Sequence, residues 1–185
     1  MTRARRRPVT SFLLMLVVGL VAILSTSCNG ASSATATTKA PLPAGPQPAA
    51  VSKEVCVSDA PHDVGLALGE KPTVTKPTWV DHLYTCRYSY PGASMTLSVK
   101  ELSSWPQTVA YFNGLATQLG KARQLKGLGQ GAFQTPNGSV VVRKDWKVLL
   151  VDVSDLPASF GHPPTTPGVI GVAVADVVLG CWAGD

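Results

Sequence analysis

The segment Asn29–Ala50 limits where this chain can fold. It consists almost entirely of Ala, Ser, Thr, Gly and Pro, and Leu42 is its one large apolar residue. Such a composition cannot bury enough apolar surface to offset the entropy lost on folding, so we expect a disordered tether over residues 28–50. The folded part is then confined to residues 51–185, which is long enough for one domain with its own core.

A targeting signal precedes the tether. Four arginines between Arg3 and Arg7 are followed by the unbroken apolar run Phe12–Leu24. A helix that spans a bilayer needs about 20 apolar residues, whereas the apolar part of a secretory signal peptide needs about 7–15. The run is of the shorter kind, so residues 1–27 are interpreted as a signal peptide and the protein as exported.

The end of this signal resembles the lipobox of bacterial lipoproteins, in which a cysteine that follows small residues becomes diacylated. Ser25, Thr26 and Ser27 directly precede Cys28, although Ser25 stands where the motif usually has a Leu-like residue. We expect Cys28 to carry acyl chains such as palmitate and to anchor the protein on the extracytoplasmic face of the cell membrane. The alternatives are ordinary secretion after cleavage nearby, or an uncleaved N-terminal anchor.

The net charge of +5 does not indicate a nucleic-acid-binding domain. Four of the arginines lie in the signal, and from Cys28 onward 12 Lys and Arg oppose 11 Asp and Glu. A nearly neutral domain has no electrostatic attraction for a phosphate backbone. We therefore expect no nucleic-acid partner.

Alternating polarity predicts the strands of the domain. Aromatic residues and a cysteine occupy every second position of Leu83–Tyr90, and after a turn at Pro91–Gly92 the alternation continues in a second strand through residue 99. Turn residues then separate three further short strands. We expect these at 132–133, 139–143 and 146–153.

Capping residues and prolines predict three helices. Their starts are expected at Ser58–Pro61, at Ser104–Gln107, which has the spacing of a capping box, and at Thr166–Pro167. The last segment, Val169–Trp182, is rich in β-branched residues and would also suit a strand, but Pro167 in a first turn favours a helix. The resulting order is α-β-β-α-β-β-β-α, an α+β domain with a mostly antiparallel sheet packed against helices.

Three cysteines remain in the domain if Cys28 is lipidated. In an oxidising extracytoplasmic compartment two of them should form a disulfide, and the two candidate pairings are Cys56–Cys86 and Cys56–Cys181. Cys86 shares a strand face with tyrosines, next to the layer on which the helix after Cys56 must pack. This placement favours the Cys56–Cys86 disulfide and leaves Cys181 as the remaining thiol.

No catalytic motif is recognisable. Gly-x-Ser-x-Gly, His-Glu-x-x-His, a Walker loop and metal-binding Cys-x-x-Cys spacing are all absent from the sequence. The glycine-rich stretch Gly127–Gly131 leads into a strand, whereas a dinucleotide-binding loop leads into a helix. We therefore expect no catalytic residue, cofactor or metal. The alternative is a hydrolase that acts on envelope material through one of the three histidines, His62, His82 or His162.

Large aromatic residues are the candidate ligand-binding groups. Trp79, Tyr84, Tyr88, Trp105 and Trp146 would either pack in the core or line a cleft between sheet and helices. Such a cleft would take an apolar small molecule or a glycolipid. We expect a non-catalytic domain that binds such a ligand or an envelope protein, with a purely structural surface protein as a further alternative.

The chain also resembles small actinobacterial cell-envelope lipoproteins of unknown function, and it is loosely similar to the extracellular sensor domains of bacterial Ser/Thr kinases. That resemblance implies an α+β domain with a Cys56–Cys86 bridge and no catalytic residues. Cys181 departs from the two-cysteine pattern of those proteins. The resemblance rests on the lipobox-like Cys28, the tether, Cys56, Ala67–Gly69, Cys86–Tyr88, Gly129–Phe133 and Val140–Lys144.

Overall fold

An eight-stranded antiparallel sheet crosses the centre of the fold. The computed structural model describes residues 40–57 and 59–182. The predicted signal peptide, the lipidation site Cys28 and the tether up to residue 39 lie outside these ranges. The strands are β1 (Thr73–Val74), β2 (Thr78–Val80), β3 (Leu83–Tyr90), β4 (Ala93–Glu101), β5 (Arg123–Leu125), β6 (Gly131–Gln134), β7 (Val140–Lys144) and β8 (Lys147–Asp152).

Two antiparallel groups of strands meet at the middle of the sheet. The hairpin of β3 and β4 carries β1 and β2 on its outer side, and the consecutive strands β5 to β8 form the other half. Strands β4 and β8 join the halves, with Leu97 opposite Val151. The order β1-β3-β4-β8-β7-β6-β5, with β2 also on β3, leaves β5 as an edge strand.

Helices cover both faces of the sheet. They are α1 (Ala50–Glu54), α2 (Ala60–Leu68), α3 (Trp105–Gln118) and α4 (Pro167–Cys181). The alternation of β7 separates the two cores, because Val140 and Val142 belong to the larger cluster with α1, α2 and α4, whereas Val141 belongs to a smaller cluster beneath α3. The predicted α+β class with an antiparallel sheet packed against helices is thus confirmed.

Helices α2, α3 and α4 begin where the sequence predicts, and of their three N-caps Ser104 is the one that caps through its side chain. The Ser104 hydroxyl accepts a hydrogen bond from the Gln107 backbone N–H at the start of α3. Helix α2 ends at Gly69, whose φ of 62° is left-handed. In α4 the buried residues 170, 171, 174, 175 and 178 have helical spacing. This spacing confirms a helix rather than a strand for the last segment.

The Cys56–Cys86 disulfide is present, with a Cα–Cα distance of 5.8 Å. It ties the segment between α1 and α2 to the centre of β3. Beside it the Tyr88 hydroxyl donates a hydrogen bond of 2.6 Å to the Val55 carbonyl. Cys181 lies outside this disulfide, with its Sγ 3.8 Å from Asp63 Oδ2. The predicted pairing is therefore confirmed.

The described domain begins before Val51. The sequence predicts a tether through Ala50, whereas residues 44–49 hydrogen-bond to the end of the sheet where β4 finishes. We call residues 40–49 the N-terminal arm. Across the described residues no helix is long and apolar enough to cross a bilayer.

Candidate functional site

The five predicted aromatic residues do not surround one cleft. Tyr84 and Tyr88 are buried on the face of β3 that packs against α1, α2 and α4. Burial, with the neighbouring Tyr90, raises the pKa of the Tyr88 hydroxyl above its usual range. These tyrosines serve the core, so they are not available to a ligand.

The three tryptophans lie instead at one end of the sheet, which we call the tryptophan end. Trp79 is on β2, Trp105 begins α3, and Trp146 lies in the turn between β7 and β8. The guanidinium carbon of Arg143 is 4.4 Å from the centre of the Trp105 ring, on the α3 face of the sheet. Trp105 and the buried tyrosines of β3 are therefore on opposite faces.

A groove of about 510 Å³ lies between the edge strand β5 and helix α4. We call it the β5–α4 groove. It forms because α4 packs over β7 and β8, while β6 and β5 extend the sheet beyond the helix. The lining residues are Arg123, Leu125, Lys126, Gly127, Leu128, Gly168, Val169, Val172, Ala173 and Asp176.

The floor of the β5–α4 groove is apolar. Leu128 is buried in the larger core, and Leu125 and Val172 are partly buried against that core. Val169 stands at the rim with 55% of its surface exposed. An exposed valine above a leucine floor gives an apolar ligand a surface that is not covered by other described parts of the chain.

A buried glutamine positions one cation of the groove. Gln134 is 6% exposed, and its Oε1 accepts a hydrogen bond of 2.8 Å from Arg123 Nε. Its Nε2 donates to the carbonyl oxygens of Gly138 and Gly168, at 3.0 and 2.7 Å. The same side chain thus joins the β6–β7 turn, the first turn of α4 and the guanidinium of Arg123.

The lining carries more positive than negative charge. Arg123 and Lys126 are exposed on the β5 side, and Asp176 on α4 is the one carboxylate among the lining residues. Because both cations stand beside an apolar floor, the arrangement suits a molecule with an apolar body and an anionic group. It contains no nucleophile paired with a base.

Sequence reasoning did not find this groove, although it singled out the glycine-rich stretch at its mouth. Gly129 has a φ of +53°, and a Cβ there would lie 2.7 Å from Val142 Cγ1 and 2.8 Å from the Arg143 carbonyl oxygen. The glycine lets the chain pass close over β7 before β6 begins. The signal that could have been used is the pair Leu125 and Leu128 on either side of these glycines.

The three histidines do not form one cluster: His82 lies against the N-terminal arm, His62 lies on α2, and His162 follows the end of that helix in space, where its backbone N–H donates to the Leu68 carbonyl. His82 Nδ1 lies 3.0 Å from the Gly45 carbonyl oxygen, and His162 Nε2 lies 3.2 Å from Glu70 Oε2. Among the described residues no histidine hydrogen-bonds to a serine hydroxyl, and no group of three or more His, Cys, Asp and Glu is placed to hold a metal ion.

Comparison of the chain with protein-family models, with curated proteins and with solved structures finds no match.

Proposed function

We propose that this protein is an exported, lipid-anchored envelope protein whose domain binds an anionic amphiphile without transforming it. The ligand would lie in the β5–α4 groove. The observation that carries the proposal is the combination, in one open groove of about 510 Å³, of an apolar floor and two cations. Small-molecule sites have volumes of about 300–1,000 Å³ and are mostly apolar with a few placed polar groups.

The apolar part of the ligand would contact Leu125, Leu128 and Val172. Burying apolar surface is favourable by about 25 cal/mol per Å², so an alkyl chain laid along this floor supplies most of the affinity. A ligand without an alkyl or other apolar body would lose this contribution.

The anionic group would bind at Arg123. Its guanidinium is already held by the buried Gln134, so less side-chain entropy is lost when a carboxylate or phosphate binds there. Lys126 adds a second positive charge farther along the same wall.

Export is supported by the Cys56–Cys86 disulfide, since such bonds persist in oxidising compartments. The lipid anchor is proposed from the signal peptide and the residues before Cys28 alone. Replacing Cys28 by Ala should move the protein from the detergent phase to the aqueous phase in detergent partitioning. A variant that partitions like the wild type would show that another feature anchors the chain.

A fluorescent fatty acid, dansylaminoundecanoic acid, tests the groove. Titration into the full chain should give saturable binding, and Arg123→Gln should weaken it about tenfold, the equivalent of one lost charged hydrogen bond. The matched control is Arg87→Gln, which removes an exposed arginine outside the groove. The methyl ester of the same probe should bind equally to the wild type and to Arg123→Gln, because it has no carboxylate.

A second pair of variants tests the position of the ligand. Val169→Asp places a negative charge on the groove rim, at an exposed position in the first turn of α4 where a carboxylate favours the helix. Leu66→Asp makes the same kind of change on α2, where Leu66 is 69% exposed. Only Val169→Asp should repel the fatty acid. Equal effects of the two variants, or no saturable binding to the wild type, would overturn the proposal.

A further inference from the structure

We infer that the tryptophan end of the domain rests on the membrane surface, with anionic lipid headgroups as its partner. This inference depends on the proposed lipid anchoring, and it adds to it a fixed orientation of the domain. It is carried by the exposed Trp105 and Val80 side chains at that end, by the point at which the N-terminal arm leaves the domain, and by the charges around the tryptophans.

Strand register places the three tryptophans at the same end. Val80 pairs with Leu83, the first residue of β3, and Glu101, the last residue of β4, pairs with Lys147. Trp79 directly precedes Val80, Trp146 directly precedes Lys147, and Trp105 begins the helix that follows β4. All three therefore lie where β2 and β4 end and where β3 and β8 begin.

This end exposes apolar and aromatic surface. Trp105 is 40% exposed and Val80 is 64% exposed, and Leu42 of the N-terminal arm is also exposed. Tryptophan is enriched at the boundary between lipid and water, because its ring is largely apolar while its N–H can still reach a hydrogen-bond acceptor. The exposed side chains at this end have the character of an interfacial surface.

The N-terminal arm is attached to the same end. The Ala44 N–H donates to the Leu102 carbonyl at 3.2 Å, and the Pro46 carbonyl accepts from Trp79 Nε1 at 3.0 Å. Farther on, the Ala49 N–H donates to Glu101 Oε1 at 2.7 Å. The chain that leads back to the anchor therefore departs from the tryptophan end and not from the opposite end.

Few residues separate the proposed lipid anchor from the folded domain. If Cys28 carries the lipid, residues 28–43 separate the bilayer from the first hydrogen bond of the arm. Whatever its conformation, a stretch of 16 residues reaches at most about 58 Å, so the anchor would hold the tryptophan end near the lipid, where weak contacts become effective.

The charges at this end favour an anionic surface. The cations are Lys100, Arg143 and Lys144, all partly exposed and each with a contact inside the domain, and the exposed or partly exposed carboxylates are Asp81 and Asp145. A Lys or Arg close to an anionic membrane contributes about 1 kcal/mol each. The excess is small, so the aromatic contacts and the anchor have to act together with it.

The orientation would also bring the β5–α4 groove towards the lipid. Arg123 pairs with Gln134 at the end of β6 that is away from the tryptophans, whereas Leu125 pairs two residues nearer to the tryptophan end. Lys126 and Leu128 follow Leu125 along the chain. An amphiphile leaving the bilayer would then meet the Lys126 side of the groove first.

Quenching of tryptophan fluorescence by brominated lipid tests the orientation. Full-length lipidated protein is reconstituted into vesicles of equal parts brominated phosphatidylcholine and phosphatidylglycerol. The wild type should be quenched, and Trp105→Phe should reduce the quenching, since it removes the one exposed tryptophan among the four that emit. Phenylalanine keeps an aromatic ring beside Arg143, so the fold is retained.

The control moves the tryptophan along the same helix. In the double variant Trp105→Phe/Gln118→Trp, the new side chain lies at an exposed position at the other end of α3, about 20 Å away. It should not restore the quenching. Restored quenching would overturn the orientation. A cross-linked dimer in which a second copy of the chain, and not lipid, covers the tryptophans would overturn it as well.

Flotation of the same vesicles separates the two proposals. Protein that floats with the vesicles but shows no quenching overturns the orientation and leaves the anchor standing. Protein that does not float overturns both. Binding of the fluorescent fatty acid is measured independently of either result.

Discussion

Reducing the Cys56–Cys86 disulfide should lower the free energy of unfolding by about 3.5 kcal/mol. The two cysteines are 30 residues apart, and closing a loop of that length removes about 12 cal/mol/K of entropy from the unfolded chain, or about 3.5 kcal/mol at 25 °C. Both residues are buried, so the thiols of the reduced protein keep their places in the core. Reduction therefore acts mainly on the unfolded state.

Urea unfolding measures this difference. Oxidised and reduced protein are compared in a Cys181→Ala background, which leaves these two cysteines as the only thiols of the described domain. The reduced protein should unfold at lower urea concentration, and its slope with urea should be steeper because its unfolded chain exposes more surface. Mass spectrometry confirms that reduction is complete.

Replacing both cysteines by Ala adds a packing loss. The free energy of unfolding of Cys56→Ala/Cys86→Ala should be lower than that of the reduced protein by about 1–2 kcal/mol, because two buried sulfur atoms are removed. If complete reduction changes the free energy of unfolding by less than about 1 kcal/mol, the loop-closure reasoning is refuted. In that case the disulfide would be consistent with export but would not stabilise the domain.

Other predictions concern single contacts. Gly171→Ala should destabilise the protein by about 1 kcal/mol, because the new methyl group would lie 2.6 Å from the Gly138 carbonyl oxygen. Gly114→Ala, whose methyl group would meet nothing within 4 Å, should stabilise it by about 1 kcal/mol. Urea unfolding should therefore show changes of opposite sign for the two variants. Burial raises the folded-state pKa of Tyr88, so its contribution is complete below the unfolded value of 10.0 and is lost as the pH rises above it. Stability measured against pH should fall more gently above pH 10 in Tyr88→Phe, and an unchanged slope would contradict this. Glu101→Ala should cost about 2 kcal/mol and speed amide exchange in residues 44–49, while Glu101→Gln keeps an acceptor and should slow that exchange again.

Local patterns in the sequence determined most of the secondary structure. The alternation in Leu83–Tyr90 and the capping spacing at Ser104 predict β3 and α3, because period and capping depend on residues that are neighbours along the chain. The Cys56–Cys86 pairing followed from the same alternation, which put Cys86 on the buried face. The short elements α1, β1, β2 and β5 were missed, because two to five residues carry no readable period.

Only the tertiary structure decided where the domain has a groove and where the N-terminal arm is held against the sheet. The β5–α4 groove exists because β5 pairs with β6 beyond the width that α4 covers, and nothing in the sequence of Arg123–Leu125 states that partner. The N-terminal arm looks like a disordered tether by composition, yet Trp79 and Glu101 hold it through hydrogen bonds across 33 and 52 residues. Contacts between residues so far apart depend on how the whole sheet is assembled. The pattern of neighbouring residues along the chain does not determine that assembly.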